Sequence, residues 1–328
     1  MDKLNKFKLF AFLSFLIILL CPGCGEQGNF NWRPDPSFTI DRKANRILIA
    51  WSTNDSSYLA SYDLKKRKLK VLCTDTKWIC YPSVSRNGSR IVFSKIDPVT
   101  GDGHIFVSHR DGTGQKQLTT GDYCDLQPVF SSDGQHVYFT RALEQSSTGM
   151  GGIQWGDWDL FKCGLNGGRS VQVTRFDANQ DAKPLVSRSG EVLYGFCASK
   201  NGQSDVYDWS DLSSAGTRHI KWLTSFQVCL SPDDGGLYYL DGTSYDPDIW
   251  KKIDAKSRQI TNVRIYIQQF EVLNSGHMIV LGMPYRDDKR HDSPEGATDT
   301  DEALMEIYVP SQSTKTLVSV EQLANPES

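Results

Sequence analysis

Two aspartates in this chain, Asp125 and Asp181, each stand three residues before a proline, Pro128 and Pro184. Brought to one opening, two carboxylates could hold a cation, or a ligand amine or hydroxyl. Aromatic residues lie close by in sequence. Tyr123 and Trp78 are two, and Trp155 and Trp158 flank Gly156 and Asp157 in the glycine-rich stretch "SSTGMGGIQWGDW". Exposed tryptophan is uncommon unless it packs on something, so this stretch is read as a recognition element. The competing reading is that Asp125 and Asp181 accept backbone N–H groups of neighbouring strands and serve the fold alone. The six histidines, His104, His109, His136, His219, His277 and His291, are scattered without a close pair such as His-x-His, which leaves metal catalysis unsupported.

Six cysteines remain once Cys21 and Cys24 are set aside with the leader, and in an exported chain they allow about 15 pairings. Cys80 and Cys124 are the better placed pair, near the starts of adjacent strands, with buried thiols as the alternative. Export itself is read from the first residues. The basic start "MDKLNKFK" precedes "LFAFLSFLIILL", an apolar run of 12 residues, too short to span a bilayer and suited to an export signal. Gly23 before Cys24 fits a lipoprotein cleavage box, although the position three before that cysteine is Cys21 where leucine is usual. Lipidation at Cys24 is therefore expected, with plain secretion as the alternative. The formal charge is −3, and the leader's three lysines against one aspartate make the remainder about −5. That acidic balance argues against binding nucleic acid.

What positions these residues is a repeat. Pro36, Pro82, Pro128, Pro184, Val228 and Phe270 occupy one recurrent position, at steps of 46, 46, 56, 44 and 42 residues. Each unit holds four short runs of β-branched and aromatic residues between Gly, Asn and Asp clusters, in the second unit "PSVS", "RIVFSK", "HIFVS" and "QKQLTT". The turns "SRNGS", "SSDGQ", "SRSGE" and "NSGH" place glycine where a tight hairpin needs φ above zero. They are read as building parts, not sites. The second run of each unit, such as "RILIAW" or "HVYFT", is too continuously apolar for a sheet with one wet face. Six four-stranded antiparallel sheets packed face to face around an axis cover it on both sides, which predicts an all-β, six-bladed β-propeller. The expected organisation is a signal peptide over 1–23, a linker over 24–35, the propeller over 36–320 and a tail over 321–328. Ring closure by residues 26–35, added as an outer strand to the last blade, is one option. Asp159, Asp205, Asp248 and Glu306 recur on the third strands and are read as blade-building groups.

In such a blade the second turn and the link to the next blade share one end of the sheet, and extra length accumulates only there. Blade 3 inserts "ALEQSSTGMGGIQWGDW" and blade 6 "PYRDDKRHDSPEGATDTDEAL". The face carrying Asp125, Asp181, Tyr123, Trp78, Trp155, Asp157 and Trp158 is thus the candidate binding face.

Units of the form "PSVSRNGSRIVFSK…HIFVSHRDGTGQKQLTTG" and "PVFSSDGQHVYFT…WDLFKCGLNGGRSVQVTR" resemble the WD40-like (PD40) repeats of the TolB-type propeller family, over about residues 36–320. Blade 1 departs with "DRKANR" in place of the Asp-Gly turn, and blade 6 lacks the proline and serine. The resemblance implies the fold, without the N-terminal domain of complete TolB proteins, whose envelope role is not carried over. The same repeat occurs in oligogalacturonate lyases and in propellers joined to peptidase domains, and no Gly-x-Ser-x-Gly elbow is present here. Two functions follow as expectations. The first is an exported, lipid-anchored, monomeric module that binds a protein or cell-envelope partner without catalysis or cofactor and touches the membrane through its anchor only. The second is a carbohydrate-active protein, lyase or sugar-binding, working at the channel mouth, where a cation is a further occupant.

Overall fold

A computed structural model describes residues 34–147, 153–176, 178, 180–181, 183–197, 208–213, 216–220, 223, 225, 227–233, 235–243, 246–253, 256–284, 302–319 and 322–323. Strands come in fours, each pairing antiparallel with its neighbour in sequence. Blade 1 runs Ser37–Asp41, Arg46–Ser52, Ser57–Asp63 and Lys68–Asp75 from the axis outward. Blade 2 follows with Trp78–Val84, Arg90–Ile96, Gly103–His109 and Lys116–Gln117. Blade 3 has Cys124–Phe130, His136–Ser147, Ile153–Gly164 and Val171–Gln172. A single parallel bridge, Gly103 to Cys124, merges blades 2 and 3 into one eight-stranded sheet. In blade 4 the inner strand is split into Gln180–Asp181 and Leu185–Val186, ahead of Val192–Cys197, Asp208–Ser213 and Gly216–His219. Blades 5 and 6 open at Val228–Leu230 and Ile265–Asn274.

Each second strand sends alternate side chains to opposite neighbours. In blade 1, Ile47 and Ile49 pack on Ile279 and Leu281 of blade 6, while Leu48 and Ala50 pack on Ile91 and Phe93 of blade 2. Val92 then faces Val137 and Phe139 of blade 3. Separate clusters join blades 3 and 4, 4 and 5, and 5 and 6, so six apolar interfaces complete the circle.

Side chains that bond to backbone also close the ring. Gln269 accepts from Phe38 N at 3.2 Å and donates to Phe38 O at 2.8 Å, and Ile40 N donates to Glu271 Oε2 at 2.9 Å. Arg42 donates to the Val272 carbonyl. The closure therefore runs between the inner strands of blades 1 and 6. Of the expected latch, residues 26–33 lie outside the described residues, and 34–35 form no strand.

The recurrent proline marks a bulge. Register jumps from Cys80 to Ser83 and across Tyr138/Thr140, and Tyr81 and Gln127, the residues preceding Pro82 and Pro128, have φ of 52° and 53°. Proline has no N–H to give the ladder, so pairing skips it. In the turns, Gly88, Gly134 and Gly190 have φ of 71°, 67° and 98°. Gly276 of "NSGH" does not take positive φ, so blade 6 turns without that device.

A polar lock holds the outer strands of blades 3 and 5. Asp159 accepts from Thr174 Oγ1 at 2.7 Å, Phe176 N at 2.8 Å and Gln172 Nε2 at 3.0 Å. Asp248 accepts from Thr261 Oγ1 at 3.0 Å and Gln259 Nε2 at 2.8 Å. Glu306 differs: it pairs with His277 Nδ1 at 2.7 Å. Asp205 lies outside the described residues. Asp159→Ala strands a buried hydroxyl and an amide N–H, and is expected to cost about 1–3 kcal/mol in urea denaturation at unchanged m-value. A loss within ~0.5 kcal/mol of zero would remove the lock from the account.

Candidate functional site

The described residues of the blade 3 insertion, 142–147 and 153–158, are two paired strands of a β-hairpin rather than irregular loop. Its second and third strands are 12 residues each, and pairing continues from His136–Gly164 out to Ser147–Ile153. The hairpin is tied to the preceding blade: Trp155 Nε1 donates to Gly101 O, in the second turn of blade 2, at 3.0 Å. Trp155, Trp78, Tyr81 and Phe176 are partly buried and pack over the cluster joining blades 3 and 4. Trp158 is only 8% exposed, inside that cluster, and its backbone N–H donates to Ala178 O at 2.8 Å. Asp157 takes φ of 54° between the two tryptophans, turning the backbone where the hairpin leaves the blade.

Beneath this aromatic rim sits a buried ion pair. Asp125 is fully buried, and Arg141 grips it with Nε to Oδ1 at 2.6 Å and Nη2 to Oδ2 at 2.8 Å. The two residues face each other in the strand register. The guanidinium lies 4.2 Å from the Tyr123 ring centroid and 5.0 and 5.5 Å from those of Phe161 and Phe139. Planar stacking and bidentate bonding together make this an arginine site that lysine would fill poorly. Gly103 passes so close that a Cβ there would lie 3.1 Å from Asp125 O, which explains a glycine at the blade 2–3 bridge.

His104 stands in blade 2 where blades 3 and 5 have the lock aspartates, opposite Lys95 as Asp159 is opposite Arg141. Its Nδ1 is buried without a hydrogen-bond partner among the described residues. Burial lowers its pKa, and the charges of Asp125 and Asp102 act in the opposite direction. Asp181 lies on the inner strand of blade 4 opposite Phe196, and its side chain lies outside the described part. The blade 6 insertion, residues 285–301, and Cys24 also lie outside the described residues.

The structure thus brings Trp78, Tyr123, Asp125, Trp155 and Trp158 together around the junction of blades 2, 3 and 4. Sequence reasoning passed over Arg141 and His104. The spacing held a signal for the first, since Arg141 stands 46 residues after Lys95, which also lies over an aromatic ring, Phe106, at 4.6 Å. Cys80 and Cys124, the expected disulfide, are buried thiols in one apolar cluster. Burial also pushes the Cys163 thiol up to about 12, far from a nucleophile's range. Among the described residues no group of three His, Cys, Asp or Glu side chains could hold a metal ion, and no helix is long and apolar enough to cross a membrane.

Fold and ring define a β-propeller. Solved structures with the same fold include the putative TolB from Agrobacterium tumefaciens, with a TM-score of 0.58, 15% identity, and coverage of 81% of this chain and 89% of that one. TolB from Acinetobacter baumannii is similar over 66% of this chain at a TM-score of 0.50 and 15% identity, and the match spans about half, 51%, of that protein. An oligogalacturonate lyase in complex with manganese has a TM-score of 0.55 and 11% identity over 86% of this chain and 76% of its own. No protein-family model matches the sequence, and no curated protein does.

Removing one member of the buried pair leaves a lone charge, so Arg141→Met is expected to cost about 3–5 kcal/mol in chemical denaturation. Replacing both, Asp125→Leu with Arg141→Met, is expected to recover most of that; an equally unstable double variant would deny the pair its counter-ion role. By NMR, His104 is expected to titrate below the ordinary histidine value, and lower still in Asp125→Asn, because that carboxylate raises it.

Proposed function

We propose that this chain is an exported binding module, anchored through lipidated Cys24, whose blade 3 hairpin and aromatic rim dock a protein partner at the cell envelope. Export and anchoring rest on the basic and apolar leader and on Gly23-Cys24. The observation that carries the docking role is the hairpin itself: a two-stranded extension the scaffold does not need, fixed in place by Trp155 on Gly101 O and presenting exposed Leu143, Glu144 and Gln145. A rigid extension holds its contact residues in place before binding and reduces the ordering cost of association. Trp78, Tyr123 and Trp155 supply the partly exposed aromatic surface, and Asp125, Asp157 and Trp158 support it from strand positions.

A carbohydrate ligand at the same rim is the second reading. Its support is the fold shared with oligogalacturonate lyases and the partly exposed indoles of Trp78 and Trp155. It is weaker because both oxygens of Asp125 are already held by Arg141, so a sugar hydroxyl or cation there has to compete with a bidentate pair.

The test joins Ala142 to Trp158, cross-strand partners, through an Asn-Gly turn, which removes the hairpin and spares the blade. Affinity capture from envelope extracts is expected to retain a partner with the parent protein and lose it with the shortened one. Equal capture by both would sink the docking role, while loss of envelope attachment in Cys24→Ser tests the anchor separately.

A further inference from the structure

We propose that the opposite end of the ring, framed by the first turns of blades 1, 2 and 3, binds a small anion bearing phosphate or carboxylate groups through Arg86, Arg90 and Lys43. These turns enclose a groove of about 530 Å³, within the usual range for small-molecule sites. Lys43 comes from blade 1, Arg86, Asn87 and Arg90 from blade 2, and Ser132 and Asp133 from blade 3. The turns converge: Arg86 Nη1 reaches the Arg188 carbonyl of blade 4 at 3.3 Å, and a Cβ on Gly190 would lie 3.0 Å from Ser132 Oγ.

Two of the side-chain oxygens in the groove, Asn87 Oδ1 and Asp133 Oδ1, are occupied by the turns that form it. Asn87 Oδ1 takes Ser85 Oγ at 2.8 Å, Ser89 N at 3.0 Å and Ser89 Oγ at 2.7 Å. Asp133 Oδ1 takes Ser131 Oγ at 2.5 Å and Gln135 N at 2.9 Å. The donors are largely unspent. The side chains of Lys43 and Arg90 have no polar partner among the described residues, and Arg86 uses one N–H of its five. Three cations against one carboxylate line this groove, in a chain whose net charge is −3. A cleft of one sign focuses field and concentrates the counter-charge. Two guanidinium groups suit the paired oxygens of phosphate or carboxylate.

Binding is measured by calorimetry at fixed ionic strength, with sodium pyrophosphate in one arm and citrate in the other, against sodium chloride as the blank. Saturable binding of at least one anion is expected, and the arm that binds more tightly distinguishes phosphate from carboxylate. Arg86→Gln with Arg90→Gln is expected to weaken it about tenfold or more, since it removes both guanidinium groups and their charge-assisted bonds. Both side chains are exposed, so an unaltered melting temperature without anion shows that the variant is folded. No saturable heat with either anion, or the same affinity in the folded variant, overturns the proposal. The hairpin-shortened protein is expected to bind the anion as the parent does, so this site and the docking face stand or fall separately.

Discussion

The whole structure depends on burying the second strand of every blade on both faces. Ile47, Leu48, Ile49 and Ala50 are all essentially inaccessible, and they belong alternately to two interfaces. Each large aliphatic side chain so placed is worth about 1.5–3 kcal/mol, and none of it is available to a blade alone. A blade with a neighbour on one side only would leave half of this surface wet. The sixth interface, between blades 6 and 1, is therefore required for the same reason as the other five, and it forms without exchange of a strand among the described residues. Gln269 and Glu271 instead tie the inner strands of blades 6 and 1 together, through side-chain hydrogen bonds to the backbone of Phe38 and Ile40.

Within that frame the polar residues fall into two kinds. Some serve the repeat, such as Asp159 and Asp248 with their threonines. Others adapt it. Blades 2 and 3 both set a cation over an aromatic pair, Lys95 over Phe93 and Phe106, and Arg141 over Phe139 and Phe161. A buried cation needs a carboxylate, and each blade finds a different one. Lys95 Nζ reaches Asp75 Oδ2 at 2.5 Å, at the end of blade 1's outer strand, whereas Arg141 takes Asp125 from its own inner strand. Asp125 is thus explained as the counter-ion of a repeat position, which neither of the sequence readings contained.

Much of the fold was legible because its determinants are local. The serine and glycine of the first turns, the apolar runs and the lock aspartates each act within one hairpin, and their recurrence exposes the ring. What was hidden acts at a distance in sequence or against composition. Asp125 and Arg141 are 16 residues apart and meet only through strand register. Phe38 and Gln269 are 231 residues apart, and no periodicity links them. "ALEQSS", residues 142–147, has too many small and polar residues to read as strand, yet the ladder of blade 3 carries it outward as one. Trp158 looked exposed in the sequence because its cover, the cluster shared with Val192, Tyr194 and Phe196, comes from the next blade.

The two ends of the ring differ because the repeat disposes of charge differently at each. Where links and second turns meet, cations are matched: Arg141 with Asp125, Lys95 with Asp75, and Lys77 with Asp97 at 3.2 Å. That end is left with aromatic surface and little net charge near the blade 2–3 junction. At the other end each turn closes by folding a side-chain oxygen back onto its own backbone, as Ser85 and Ser131 do with Arg90 N and His136 N at 3.0 Å. A turn built that way consumes acceptors: Arg46 of blade 1 is matched by Asp41, whereas the side chains of Lys43 and Arg90 have no polar partner among the described residues. Around the groove shared by blades 1, 2 and 3 this leaves Lys43, Arg86 and Arg90 against the single carboxylate of Asp133, so turns that close on their own oxygens set three cations together on an acidic protein.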